Sequence, residues 1–400
     1  MAKEEKAMQQ PHYNKDLVVR LVEEADLQQA RVVVSRAFNQ NAEGWFGADG
    51  TTMAGFDGEG NMVCVLGFEL EELWWGSGKI PAAAIGGVST DPKHQNKGHC
   101  GGLLVQTIHH LREQGRYLSP LWPFSFRYYG KFGWVGPNPT LVLKVWPDLV
   151  RQTGVKPGQV RQGTAEDAAQ VQRLHTEGAQ TRNGQSARDE AYWQKENTLK
   201  QLWVLEGEGG LDCCALVRLE DMRRGQGKRA VVREVQGGAF AAQMRLVRSL
   251  VELDGVVALN LELPIDSLFA HAFPERCDIA MPQGMDLRVL DVAQALEHLK
   301  PSEDLRATIS YEVADWAVNA ERPLGVTAQV EGGRVAVSQG TGSDALRCDI
   351  NTFTNLFSGG LTAGQARALG RLEGGSPAAA AASDALLYGR VPYRSGVESG

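Results

Sequence analysis

Leu104, Ile108 and Leu111 recur at i, i+4 and i+7, which predicts a helix with one apolar face that Gly115 can close. Upstream, Ala84-Ile85 and Val88 have strand character, and Pro92 ends the strand because it has no backbone donor. A glycine-containing turn lies between, so the helix starts between Gly98 and Gly101. Its first N–H groups lack internal partners and carry the positive end of the dipole. Small residues around them would let a pyrophosphate approach, and Lys97 adds a cation. Many such turns, however, only cap and pack a helix.

The pattern extends on both sides. Leu27, Ala30, Val34 and Phe38 predict an amphipathic helix, followed by strands from Thr51 to Phe56 and Met62 to Leu70 joined by the tight turn Asp57-Gly58-Glu59-Gly60. Strands Ala82 to Thr90 and Tyr117 to Trp122 flank the turn and its helix. An internal repeat then appears: Val19-Arg20 precedes Asp26 by the same interval as Val160-Arg161 precedes Asp167, and each opens an apolar-periodic helix. In the middle third, strand Ala230 to Val235 leads through Gln236-Gly237-Gly238-Ala239 into a helix bearing Met244, Leu246, Val247 and Leu250. From about Leu287 the pattern changes to a helix near Leu290 to Leu299, a strand from Leu305 to Val313 and a hairpin turning at Gly332-Gly333. Phe353, Leu356 and Phe357 suggest a further helix, Gly374-Gly375-Ser376-Pro377 reads as a loop, and the ending from Tyr388 is too short for another element. The expected class is α/β, α+β mixed, with divisions at 1–150, 151–286 and 287–400.

Composition narrows the function. At 400 residues the chain exceeds one core, and 41 basic against 48 acidic residues give a net charge of −7, which disfavours nonspecific nucleic-acid binding and suits a cationic substrate. The six cysteines lack the spacings of a zinc site or a disulfide framework, which fits a reducing cytoplasm. Neither an apolar signal core nor a stretch of membrane-span length is present, so a cytoplasmic protein with no membrane partner is expected.

Two motifs in register carry a resemblance. Gln95-x-x-Gly98-x-Cys100 is similar to the Gln/Arg-x-x-Gly-x-Gly/Ala turn of GNAT acetyltransferases, with Cys100 as the departure. About thirty residues on, after Leu121-Trp122-Pro123-Phe124-Ser125-Phe126-Arg127-Tyr128, comes Tyr129-Gly130-Lys131-Phe132-Gly133-Trp134. This segment resembles the Eis (enhanced intracellular survival) family of aminoglycoside-acetylating GNAT proteins. The resemblance implies tandem GNAT domains, the second degenerate because it lacks both motifs, followed by a sterol-carrier-like α+β domain. It also implies acetyl-CoA as co-substrate, no metal, a multi-amine acceptor and a hexameric assembly. By the same resemblance, Val88, Ser89 and Thr90 line the pantetheine arm, Asn96, Lys97, Gly98, His99, Cys100 and Gly101 wrap the pyrophosphate, and Phe124 and Ser125 contact the cofactor.

Acetyl transfer from a thioester requires a held cofactor, a neutral amine and protonation of the departing thiolate. Tyr129 is the candidate acid, since a phenol's pKa near 10 is close enough to a thiol's for proton transfer. Tyr128 is its neighbour, but the Gly-Lys-Phe-Gly that follows selects Tyr129. The resemblance places the base at the C-terminal carboxylate, here Gly400, although the seven residues after Pro392-Tyr393 depart from the family's shorter tail and make Glu398 a substitute. A flexible tail is the plain alternative. Cys100 at a helix N-terminus could instead be a nucleophile or a small buried filler. His94 and His99 lack a third metal ligand nearby, and Trp74-Trp75 beside Glu71 and Glu72 could wall an acidic pocket or sit on an exposed hairpin edge. Rival readings are an N-myristoyltransferase-like acyltransferase and a lipid carrier built on the last domain.

Overall fold

The computed structural model describes residues 11–399 except 138, 274, 276 and 283. Two compact units form: the first comprises the chain to Glu72, Ile80–Pro137 and Met285–Gly389, and the second Leu73–Lys79, 138–284 and the chain from Arg390.

The first copy runs β1 (Val18–Leu21), α1 (Leu27–Phe38), β2 (Thr52–Phe56), β3 (Met62–Trp75), β4 (Gly78–Thr90), α2 (His99–Glu113), β5 (Leu118–Leu121) and a short α3 (Phe126–Gly130). Its strands lie in the order β1-β2-β3-β4-β5, with β4 and β5 parallel. Leu104, Ile108 and Leu111 are buried on α2 as their spacing predicts, and Gly115 turns the chain with φ of 68°. Each such side chain contributes about 1.5–3 kcal/mol by leaving water. Leu103 and Val105 are buried as well, so α2 is apolar over more than the stripe that the spacing marks.

The second copy runs β6 (Thr140–Val145), α4 (Pro147–Gln152), β7 (Val160–Gln162), α5 (Ala168–Ala179), β8 (Asn183–Ser186), α6 (Glu190–Gln194), α7 (Glu196–Leu199), β9 (Leu202–Gly207), β10 (Gly210–Asp221), β11 (Lys228–Gln236), α8 (Phe240–Leu250), β12 (Val256–Pro264) and β13 (Asp278–Ala280). Its sheet has the order β13-β6-β12-β11-β10-β9-β7, again with one parallel pair, β11 and β12. The repeat read from sequence has a physical basis. Arg20 grips Asp26 at 2.5 and 2.9 Å, Arg161 grips Asp167 at 2.7 and 2.8 Å, and both aspartates close a capping box before their helices.

The last third opens with β14 (Asp286–Val289), which pairs antiparallel with β5 and so completes the first unit's sheet. There follow α9 (Val292–Glu297), β15 (Ala307–Asp315), β16 (Asn319–Glu331), β17 (Arg334–Gln339), β18 (Leu346–Asp349), α10 (Ile350–Ser358), α11 (Ala363–Ala368), β19 (Glu373–Gly374) and α12 (Pro377–Leu387). Five of these strands form a sheet ordered β17-β16-β15-β18-β19. The predicted hairpin turns at Gly332 and Gly333, whose φ values are 57° and 71°. The loop expected at Gly374–Pro377 instead contains part of β19 and the Ser376 cap of α12. Strand β6 belongs to the second unit's sheet and β14 to the first unit's, so sheet membership changes at 140 and 286.

Candidate active site

The parallel pairing of β4 with β5 ends at Ile85 opposite Leu121, while β4 continues to Thr90. Val88, Ser89 and Thr90 therefore lie on a strand end with no partner on the β5 side, where an extended chain can lie along the backbone. Pro92 then opens a 3-10 turn, and Asn96 and Gly98 take left-handed φ values of 61° and 79° before α2 begins at His99. No acceptor among the described residues meets the N–H groups of Asn96, Lys97, Gly98, His99, Cys100 and Gly101. Six such donors at a helix start, with the exposed Lys97 beside them, are chemically suited to a pyrophosphate.

The glycines also serve a second purpose. Gly98 accepts N–H bonds from Asn14 and Gly102, both at 3.0 Å, and a β-carbon on Gly98 would lie 2.8 Å from the Asn14 nitrogen. One on Gly101 would meet the Phe132 ring at 2.8 Å. His99 is buried, with Nδ1 accepting from Asn14 at 3.1 Å, and burial together with His94 and Lys97 pushes its pKa down, so the ring is neutral. Burial pushes the Cys100 thiol up, and its sulfur receives hydrogen bonds from Tyr128 and Thr90. That environment opposes a thiolate nucleophile and leaves Cys100 as a small, half-buried filler.

Ser125 caps α3 by accepting the Tyr128 N–H at 3.2 Å. Phe124, 71% exposed, is not a core aromatic; its ring lies 5.5 Å from that of Tyr128 and 5.1 Å edge-on to that of Tyr129. Tyr129 is 2% exposed and packs edge-on against Trp134, and its hydroxyl makes no hydrogen bond to a described residue. Burial, with Cys100 and Asp286 adding to it, holds the phenol well above its ordinary pKa, so Tyr129 is a protonated donor. The last third fixes the segment behind it. Asn351 donates to the Gly130 carbonyl at 2.9 Å, Trp316 to that of Lys131 at 3.0 Å and Arg288 to that of Phe132 at 2.6 Å. Three successive carbonyls from the last residue of α3 onward thereby gain side-chain donors.

Sequence reasoning missed Asp286. It stands on β14 opposite Leu121, and the bridge of Val135 to Leu287 places Gly136 on its other side. The side chain is fully buried, and neither carboxylate oxygen has a partner among the described residues. Burial raises its pKa to about 7. The signal available was an aspartate and an arginine alternating in Met285-Asp286-Leu287-Arg288-Val289, two charges on one face of an otherwise apolar strand.

Comparison with known proteins agrees with this geometry. Residues 18–135 match the acetyltransferase (GNAT) domain family and 292–395 the sterol carrier protein domain family. An uncharacterized N-acetyltransferase from Streptomyces avermitilis is 26% identical over 366 residues, covering 84% of this chain and 85% of the relative. Residues 18–135 of this chain form a GNAT acetyltransferase domain, and the chain's fold is Eis-like. A GCN5-related N-acetyltransferase from Anabaena variabilis shares its fold with a TM-score of 0.82 at 18% identity, covering 94% of this chain and 99% of that one. Eis1 from Mycobacterium abscessus does so with a TM-score of 0.75 at 19% identity and the same two coverages.

The acetyltransferase's second copy has the same strand–turn–helix order, and there too no acceptor among the described residues meets the N–H groups of Gly237 to Ala241, but no counterpart of Tyr129 follows. A cavity of about 300 Å³ lies beside Gly237 and Gly238, lined by Gln185, Gln236, Gln243, Leu263 and Tyr393 among others. Gln243 donates to the Gly237 carbonyl at 3.0 Å, and Arg182 on the wall is paired with Asp266 at 2.8 Å. In the first copy the free donors at the start of α2 and the phenols of α3 come together, since Tyr128 donates to the Cys100 sulfur. Among the described residues no group of three metal-ligating side chains assembles and no helix is long and apolar enough to cross a membrane.

Two expectations change. Trp74 and Trp75 are buried in the second unit, where β8 pairs with Leu73 and Trp75, so they are neither an exposed edge nor an open pocket wall. The tail is not free as far as Val397: Tyr393 donates to the Glu262 carbonyl at 3.2 Å, Ser395 donates to that of Arg233 at 3.2 Å, and Val397 packs against the second unit's core. A 3-10 turn covers Gly396–Ser399, where the sequence suggested no element. Gly400 and the side chain of Glu398 lie outside the described residues.

Proposed function

We infer that this acetyltransferase moves an acetyl group from acetyl-CoA to a primary amine of a multi-amine acceptor such as an aminoglycoside, a polyamine or a lysine side chain. One observation supports the reading most: the unpartnered N–H groups of Asn96 to Gly101 at the unpaired end of β4. These groups, with Lys97, would hold the pyrophosphate of the co-substrate, and the backbone of Val88 to Thr90 its pantetheine arm. Acetyl-CoA supplies the activated thioester. Tyr129, protonated and hydrogen-bonded to no described residue, would pass its proton to the departing sulfur. The exposed Phe124 and Phe126 offer aromatic faces to a cationic acceptor, and the chain's net charge of −7 favours its approach. The family resemblance assigns the proton-accepting carboxylate to Gly400. The test is thiol release from acetyl-CoA across aminoglycosides, polyamines and lysine peptides: amine-dependent release supports the reading, and none with any amine overturns it.

A further inference from the structure

We propose that Asp286 holds the acceptor's ammonium group and takes a proton from it so that the neutral amine can attack. This rests on the acetyl-transfer reading. A fully buried carboxylate with both oxygens unpartnered is rare in a folded chain. The second unit shows what a buried structural carboxylate looks like: Glu234 receives Arg188 at 2.9 and 2.7 Å and His175 at 3.3 Å. Arg288, two residues along β14 on the same face, does not neutralise Asp286. Its Nη1 and Nη2 are committed to the Phe132 carbonyl at 2.6 Å and to Asp315 at 2.7 Å. The partner missing from Asp286 is thus a donor from outside the chain, and opposite charge suits it best.

Access is built in beside it. Gly136 leaves open the space next to Oδ1: a β-carbon there would lie 3.0 Å from that oxygen and 3.4 Å from the edge of the Phe126 ring. Phe126, which borders that space, is itself 36% exposed, and an aromatic face favours an incoming cation. The charged or titratable side chains on the elements around Asp286 are Arg127, Tyr128 and Tyr129 on α3 and Arg288 on β14, while β5 and α10 carry none. Burial leaves the carboxyl at about 7, where a base is poised for work near neutral pH.

In the step, the nitrogen lone pair forms an N–C bond to the thioester carbonyl carbon, and the C–S bond breaks with its electron pair going to sulfur. Asp286 takes the first proton from the ammonium and so frees that lone pair, Tyr129 gives its hydroxyl proton to the sulfur, and the second proton, shed by nitrogen once the N–C bond has formed, passes to water. Exchange with water then returns a proton to the phenolate and removes one from the carboxyl.

The experiment compares the full chain with Asp286→Asn in thiol release, calorimetric acetyl-CoA affinity and urea unfolding against pH. Turnover at saturating amine should fall about 100-fold or more, with acetyl-CoA affinity unchanged and the pH limb near 7 lost. Stability should move the other way. The unpaired charge burdens the fold as pH rises from about 4 toward 7, so the variant should resist urea better than the parent at pH 8 and equal it below about pH 4. Asp286→Ala, slow alone, should recover with added formate. Parent-like turnover and pH profile in Asp286→Asn, or loss of activity accompanied by loss of stability, would overturn the proposal. Absence of thiol release from the parent with every amine instead overturns the acetyl-transfer reading, and the assignment of Asp286 with it.

Discussion

Arg288 fills the space that a side chain on Gly133 would need: a β-carbon there would fall on the guanidinium, and Gly133 already has φ of 95°. The arginine is held on the Phe132 carbonyl and Asp315, so it has nowhere to retreat. Gly133→Ala should therefore cost roughly 2–4 kcal/mol in chemical denaturation. It should also lower turnover, because Tyr129 sits four residues upstream in the same clamped segment.

The two adjacent phenols should behave differently. Tyr128 is tied to Cys100 and Tyr129 to no described acceptor. Tyr129→Phe should reduce turnover by about two to four powers of ten and spare acetyl-CoA affinity. Tyr128→Phe should mainly cost about 0.5–1.5 kcal/mol of stability through its lost hydrogen bond. Steady-state kinetics of both variants, beside their unfolding curves, checks the ranking.

Substitution at Gly98 would confound cofactor binding with packing against Asn14. Lys97 is the cleaner probe, being exposed and in no ion pair with a described residue. Lys97→Glu should weaken acetyl-CoA at least tenfold at low salt, less at high salt, and leave the unfolding midpoint unchanged.

In the second unit, Arg188 neutralises a fully buried Glu234, whose pKa lies well below the usual carboxylate range despite the opposing effect of burial. Arg188→Ala should destabilise by about 3–5 kcal/mol at neutral pH, since it strands a buried charge. The loss should shrink as pH falls and the stranded carboxylate takes up a proton, which urea unfolding at several pH values would read.

Much of this fold was legible in local patterns. The α2 stripe of Leu104, Ile108 and Leu111, the Gly332-Gly333 hairpin and the repeated arginine–aspartate clamps are all set by residues close in sequence. The missed parts depend on distant partners. Asp286 acquires its setting only when β14 pairs with β5, more than 160 residues away. The carbonyl clamp needs Asn351 and Trp316 brought back to α3. Trp74 and Trp75 are buried by β8, which no spacing near the tryptophans announces. α12 was missed because its alanine-rich run, Pro377–Leu387, has little apolar periodicity.

The central claim is that the first copy alone carries the acetyl-CoA site. Calorimetric titration of acetyl-CoA into the parent, Lys97→Glu and a Gln243→Glu variant at the second turn tests it most directly. The predicted result is one acetyl-CoA per chain, with affinity lowered by Lys97→Glu and untouched by Gln243→Glu. Two molecules per chain, or a single site that responds to Gln243→Glu and not to Lys97→Glu, would contradict it.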